Sequence, residues 1–244
     1  MRTVITIEAR MRSTRLPGKV LCPVLGRPML ALMVERLRRV QEAEAIVIAT
    51  TSDPSCDPIE ALAKELGVGC FRGSEDDVLD RVLQAARAAK ADLIVETTGD
   101  CPLIDPDIIS RLIREFRANT VDYCANILKP TYPRGMDAQV FPVAVLEEVA
   151  RLTDDPVDHE HVSLYIYQHP ERFRLLNVES GLPAKSAELR LTVDTPEDYQ
   201  LITEIYEALY PTNPRFALAD VLDLFERRPE LRSINADIRQ KAVR

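Results

Sequence analysis

The sequence predicts an α/β protein with a mostly parallel central sheet and helices on both faces. Two observations carry that prediction. Apolar, β-branched runs alternate four times with segments of helical hydrophobic spacing across the first half of the chain. Each run also ends in a polar loop, and in such sheets ligands bind beyond the carboxyl ends of the strands. The length of 244 residues, 46% hydrophobic and 29% charged, suits one large globular domain with a full core.

The opening run at 3–7 reads as a buried strand. Pro17-Gly18 punctuates the loop after it, and Gly26-Arg27-Pro28 breaks the chain before a helix at 29–40. Residues 45–49 form a second strand, followed by a polar loop at 50–54 and a helix at 59–66 stopped by Gly67. A third strand at 68–71 feeds the loop 72–77 and a helix to about 89. A fourth strand at 93–96 is closed by 97–102 and followed by a helix at 108–116. The second half is less regular. Strands are expected at 121–126, 137–141, 173–178 and 188–192, with helices at 142–152 and from 155 through 167. Asp194-Thr195-Pro196-Glu197-Asp198 opens a helix to about 210, because a capping side chain, a proline and first-turn acids all favour a helix start. A last helix covers 217–227, and no repeat or linker divides the chain.

Bulk properties exclude several classes. The formal net charge of -8 and the absence of tryptophan argue against a nucleic-acid partner. No apolar run approaches a membrane span, and the N-terminus has no signal-peptide shape, so a cytoplasmic location is the default expectation. Cys22, Cys56, Cys70, Cys101 and Cys124 are odd in number and widely spaced, which fits reduced thiols. Gly67-Val68-Gly69 precedes a strand and lacks the final glycine of a dinucleotide fingerprint; no Walker motif occurs.

Against this acidic background, four cations crowd the first loop: Arg10, Arg12, Arg15 and Lys19. Arginine offers a planar fork to phosphate oxygens and lysine a mobile point charge, so the loop suits a polyanion. A solvated basic loop is the alternative. The run Ala9-Arg10-Met11-Arg12-Ser13-Thr14-Arg15-Leu16-Pro17-Gly18-Lys19 closely resembles the N-terminal signature of the sugar-activating cytidylyltransferases, the CMP-Kdo and CMP-acylneuraminate synthetases among them. It is closest in style to the spore-coat polysaccharide SpsF-like branch. Glu8 departs from the proline usual before that signature.

The resemblance implies a three-layer, Rossmann-like fold of the nucleotide-diphospho-sugar transferase (GT-A-like) type. It implies Mg²⁺ as cofactor, CTP and a small acidic acceptor as partners, and a homodimer. Ala9, Arg10, Ser13, Arg15 and Lys19 would bind the nucleotide, with Arg10 and Lys19 acting catalytically. Gly99-Asp100-Cys101-Pro102-Leu103-Ile104 is similar to the synthetase segment whose aspartate binds metal, although Thr98 stands where glutamine is usual. Leu191-Thr192-Val193-Asp194-Thr195-Pro196-Glu197-Asp198 is similar to the segment that supplies the other metal ligand. Asp100 and Asp194 are therefore the expected pair for Mg²⁺. A turn aspartate and a helix cap are their structural alternatives.

Arg72, Gly73, Ser74 and Asp77 follow the third strand and would read the base by analogy; capping by Ser74 is the alternative. Glu160 and His161 resemble an SpsF-like segment and, with Arg134 and Asp137, are the acceptor candidates. An ion pair bracing the loop is the other role open to Arg134 and Asp137. His159 and His161 diverge on a helix and make a poor metal pair. The expected activity is CMP transfer from CTP to an acidic sugar or phosphorylated acceptor, with the nucleotide half at about 1–120 and the acceptor half at about 121–244. A glycosyltransferase using a nucleotide-sugar, and a nucleotide-binding module without turnover, are the competing readings.

Overall fold

A computed structural model describes residues 1–240. Its sheet has seven strands in the order β5-β4-β1-β6-β8-β7-β9. These are β1 (Thr3–Glu8), β4 (Ala45–Thr51), β5 (Gly69–Gly73), β6 (Leu93–Thr98), β7 (Tyr123–Ala125), β8 (Gln139–Pro142) and β9 (Leu175–Asn177). β1 pairs in parallel with both β4 and β6, and β4 with β5; β8 runs antiparallel to β6 and β7, and β9 is parallel to β7. The four strands of the first half thus form the parallel block that the alternating pattern predicts. The chain steps outward from β1 through β4 to β5, then returns to lay β6 on the other side of β1. That reversal opens a crevice at the carboxyl ends of β1 and β6, where an open α/β sheet binds its ligand.

Two apolar cores make three layers. On one face Ile5, Ile7, Ile48 and Val95 pack under α1 (Met29–Leu37), α2 (Asp57–Leu66), α4 (Pro106–Ala118), α8 (Pro196–Leu209) and α9 (Leu218–Arg227). On the other, Val4, Val47, Ala49 and Ile94 pack against α3 (Val78–Ala88) and α5 (Val143–Leu152), with Val162 and Ile166 beside them. β1 is buried along almost its whole length, as its unbroken apolar run requires.

One expectation gains detail and two need correction. The break at Gly26 lies inside a small hairpin, β2 (Pro23–Val24) and β3 (Arg27–Pro28). Leu25 and Gly26 both take positive φ there, the requirement of a two-residue turn matched to strand twist. The helix from 155 to 167 is two short helices, α6 (Pro156–Glu160) and α7 (Leu164–Gln168). The chain bends at His161, which lets Val162 enter the core and leaves the buried Ser163 hydroxyl 3.4 Å from that of Tyr123. Finally, 188–192 makes only one bridge, Arg134 with Arg190. Its neighbour Gly135 sits at φ 99°, and a Cβ there would come within 2.6 Å of the Leu191 carbonyl group. The segment is pressed onto a loop rather than extended into the ladder.

Candidate active site

The crevice is a cavity of about 550 Å³. The loop after β1 supplies one wall: Ala9, Arg10, Arg12, Ser13, Thr14, Arg15 and Lys19. It is curled on itself by Gly18, whose N–H reaches the Met11 carbonyl at 2.8 Å and whose φ of 71° belongs to the left-handed region. That turn aims Lys19 back into the cavity. Thr98, Gly99 and Asp100 enter from the end of β6, and Asp194 from the approach to α8.

Asp100 and Asp194 are 94 positions apart yet share one partner. Lys19 Nζ donates to Asp100 Oδ2 and Asp194 Oδ1, at 2.8 Å each, and to the Val193 carbonyl at 2.8 Å. Backbone links bring the two acids together, because Val193 N–H donates to the Asp100 carbonyl at 2.8 Å. Thr98 Oγ1 holds the other Asp100 oxygen at 2.6 Å. On the far side of Asp194, Arg15 lies at 3.0 Å and Arg190 at 2.6 Å. Asp198 stays out of the cavity: it closes a capping box with Thr195 and takes Arg190 in an ion pair. The opposed causes leave clear directions. Burial pulls the Lys19 ammonium down, but the hydrogen bonds and charges of Asp100 and Asp194 outweigh it and hold it above its usual value. Burial pushes Asp194 up, and Lys19, Arg190 and Arg15 outweigh that and hold it below the usual carboxylate range.

This donor set suits a hard divalent cation. No group of three or more His, Cys, Asp or Glu able to hold a metal occurs among the described residues. Two carboxylates do converge on one positive charge, that of Lys19. Mg²⁺ is bound through one or two carboxylates together with substrate phosphates, so two protein ligands are enough.

The remaining sequence-predicted residues are spread over the surroundings. Arg10 and Arg12 turn toward Glu75, at 3.9 and 3.2 Å, and Arg12 also reaches Asp53 at 2.8 Å. Arg72 points away from the cavity, onto Asp57 and Glu60 at 2.7 Å each and the Thr51 and Asp53 carbonyls. Gly73 leaves room for Arg81, whose Cγ a Cβ would approach to 3.1 Å. The Ser74 hydroxyl accepts from Asp77 N–H, and Asp77 caps α3 and takes His159 at 2.9 Å. These four stand behind the cavity wall. Glu160 and His161 line it. Arg134 is exposed, and Asp137 takes the Gly135 N–H at 3.3 Å. No ion pair joins those two among the described residues. Burial pushes Asp137 above the usual carboxylate range.

Glu8, Thr98 and Arg81 are among the cavity residues to which sequence reading gave no role, and it missed the bracing residue Arg190. Glu8 had a signal, its departure from the family proline. Arg190 had none, since its partners are set by the fold.

The fold and the sequence both have known relatives. The sequence profile of the cytidylyltransferase family matches residues 4–227. The spore coat polysaccharide biosynthesis protein SpsF of Bacillus subtilis is 34% identical over 229 residues, 92% of this chain and 94% of that protein. The solved cytidylyltransferase of Leptospira borgpetersenii superposes with a TM-score of 0.90 at 33% identity, over 99% of this chain and all of that one. A CMP:2-keto-3-deoxy-manno-octonic acid synthetase complexed with CTP shares the fold, with a TM-score of 0.64 at 20% identity over 85% of this chain and 99% of that one. With its parallel block, basic loop and paired aspartates, the chain belongs to the cytidylyltransferase family.

Proposed function

We propose that the protein transfers CMP from CTP to an acidic sugar or a phosphorylated acceptor and releases pyrophosphate. The observation that carries this reading is the Lys19 ammonium held between Asp100 and Asp194 at the mouth of the basic loop. A site that already balances two acids against Lys19, Arg15 and Arg190 is organised to receive a phosphate chain and its counter-ion. An acceptor oxygen attacks the α-phosphorus in line, the bond from that phosphorus to the bridging oxygen breaks, and pyrophosphate leaves.

Positioning and electrostatics supply the catalysis. Arg10, Arg15 and Lys19 hold the β- and γ-phosphates and stabilise the charge that develops on the leaving group, while Ala9 and Ser13 cradle the nucleotide. Asp100 and Asp194 would hold Mg²⁺, which would supply charge neutralisation at the phosphates. In this reading the acceptor is bound by Glu160 and His161, which line the cavity, and by Arg134 and Asp137 from outside its lining. Arg72, Gly73, Ser74 and Asp77 shape the wall behind Arg81 and act on the base through it. The nucleotide half then lies at about 1–120 and the acceptor half at about 121–244. The homodimer belongs to the same reading, and sedimentation equilibrium at two loading concentrations tests it. Among the described residues no helix is long and apolar enough to cross a membrane.

The test is pyrophosphate release from each of the four nucleoside triphosphates, with Mg²⁺ and a pool of acidic sugars, sugar phosphates and small phosphono-acids. Release from CTP that requires an acceptor and disappears in Asp100→Ala supports the proposal. Cleavage of a nucleotide-sugar without pyrophosphate release from any triphosphate transfers the reading to a glycosyltransferase. CTP binding without turnover makes it a sensing module.

A further inference from the structure

The floor of the cavity holds polar groups that the phosphate machinery does not use. Glu8 ends β1 and Glu96 lies on β6, on the same face of the sheet, where the ladder sets Glu8 beside Thr98 and Thr6 beside Glu96. Glu8 Oε1 and Glu96 Oε2 are buried and have no hydrogen-bond partner among the described residues. Two carboxyl groups in contact share a proton more readily than they carry two charges. Burial above all, and for Glu8 the charge of Glu96 as well, pushes both carboxyls above their usual range. Glu8 also lines the cavity, so its carboxyl can meet a ligand there.

Arg81 stands opposite. It projects from α3, is 2% exposed and lines the same cavity. Its Nη1 donates to the Ser74 and Glu75 carbonyls, while its buried Nε has no partner. Arg81 and Glu8 are near enough for each charge to act on the other. They form no ion pair within 4 Å among the described residues. An acceptor and a donor that line one cavity are both left without partners among the described residues, and leaving such groups unsatisfied is costly. A planar ligand edge with a donor beside an acceptor completes both.

We propose that Glu8 and Arg81 read the nucleobase: the Glu8 carboxyl accepts from an exocyclic amino group and Arg81 Nε donates to the adjacent ring nitrogen. Cytosine presents that order, amino donor then ring acceptor. Uracil presents the reverse and would set its O4 against a carboxyl oxygen. The inference rests on the proposed use of CTP and names the residues that enforce it. Val78 lines the same part of the cavity and supplies an apolar surface for the ring. Glu8 is a specificity-determining residue in this scheme, and Glu96 positions it.

Calorimetric titration of CTP and UTP into the wild type and into Glu8→Gln tests the assignment. A site built to bond an amino group rejects the analogue lacking it, so the wild type is expected to prefer CTP over UTP by about tenfold or more. Glutamine can turn its own N–H toward O4, so Glu8→Gln is expected to reduce that preference by about tenfold. A variant whose melting temperature falls while the CTP-to-UTP ratio holds gives Glu8 a structural role and overturns the inference. The 4-deamino analogue of CTP decides the matter on the wild type alone if the variant does not fold: binding as tight as CTP's overturns it, and loss of about tenfold or more supports it. Equal wild-type affinity for CTP and UTP sinks this inference while leaving nucleotidyl transfer standing. No binding of any triphosphate sinks the functional reading itself.

Discussion

Three hydrogen bonds of 2.8 Å fix the Lys19 ammonium on Asp100, Asp194 and the Val193 carbonyl. Removing that charge leaves two acids facing each other and takes a cation from the proposed phosphate path. Lys19→Met is therefore expected to lower kcat/KM for CTP by about 100-fold or more, the scale of losing one preorganised charge contact, as steady-state pyrophosphate release would show. Its effect on Asp194 follows the same logic. The carboxyl loses the partner that most depresses it, so its proton uptake, followed by NMR, should move to higher pH in the variant. Arg15, Lys19, Asp100 and Asp194 were legible in the sequence because each sits in a contiguous motif, the first three after β1 or β6 and Asp194 just before α8. Arg81 and Arg190 were not legible. An arginine inside a helix and an arginine in a loop look like surface residues until folding buries them, at 2% exposure for Arg81.

The elements around the site make their own predictions. α6 is tied to the start of α3 by His159, whose Nδ1 meets Asp77 at 2.9 Å while Nε2 meets the Thr153 carbonyl at 2.9 Å. Burial pulls the imidazole down, but the Thr153 bond and the acids Asp77 and Asp154 outweigh it and raise its pKa. A raised folded-state pKa means that the clamp contributes fully below the unfolded value of about 6.5 and fades as pH rises through the folded one. The melting temperatures of wild type and His159→Gln should therefore differ most near pH 6 and converge above about pH 8. A constant difference would contradict the clamp. Gly135 is the second case. Any side chain there needs an unusual φ and drives into the Leu191 carbonyl at 2.6 Å. Gly135→Ala should destabilise by about 2 kcal/mol or more in denaturant titration, where an exposed loop glycine would show a few tenths. Thr195→Ala removes the cap that fixes α8 beside Asp194, and the same titration should show about 1 kcal/mol. The main strands were readable because buried parallel strands are continuous apolar runs. The 188–192 segment imitated one, but Arg190 is turned onto Asp194 and Asp198, so no ladder forms.

At the scale of the whole molecule, the sheet's reversal between β1 and β6 decides where chemistry can occur. It places the N-terminal loop, the end of β6 and the start of α8 around one opening, although they span almost the full chain. The first half announced this arrangement by order alone. The second half did not, since β7, β8 and β9 are only three or four residues long and too short for a period to show. Placing both acids at one opening gives the account its metal dependence: chelation of divalent cations should abolish turnover, and Mg²⁺ should restore it. The most direct measurement of the central claim is a ³¹P NMR time course with CTP, Mg²⁺ and an acidic acceptor pool. The account predicts that the three CTP resonances give way to pyrophosphate and one new phosphodiester signal, with no change in Asp194→Asn. Inorganic phosphate and CDP, or an unaltered CTP spectrum with every acceptor, would contradict it.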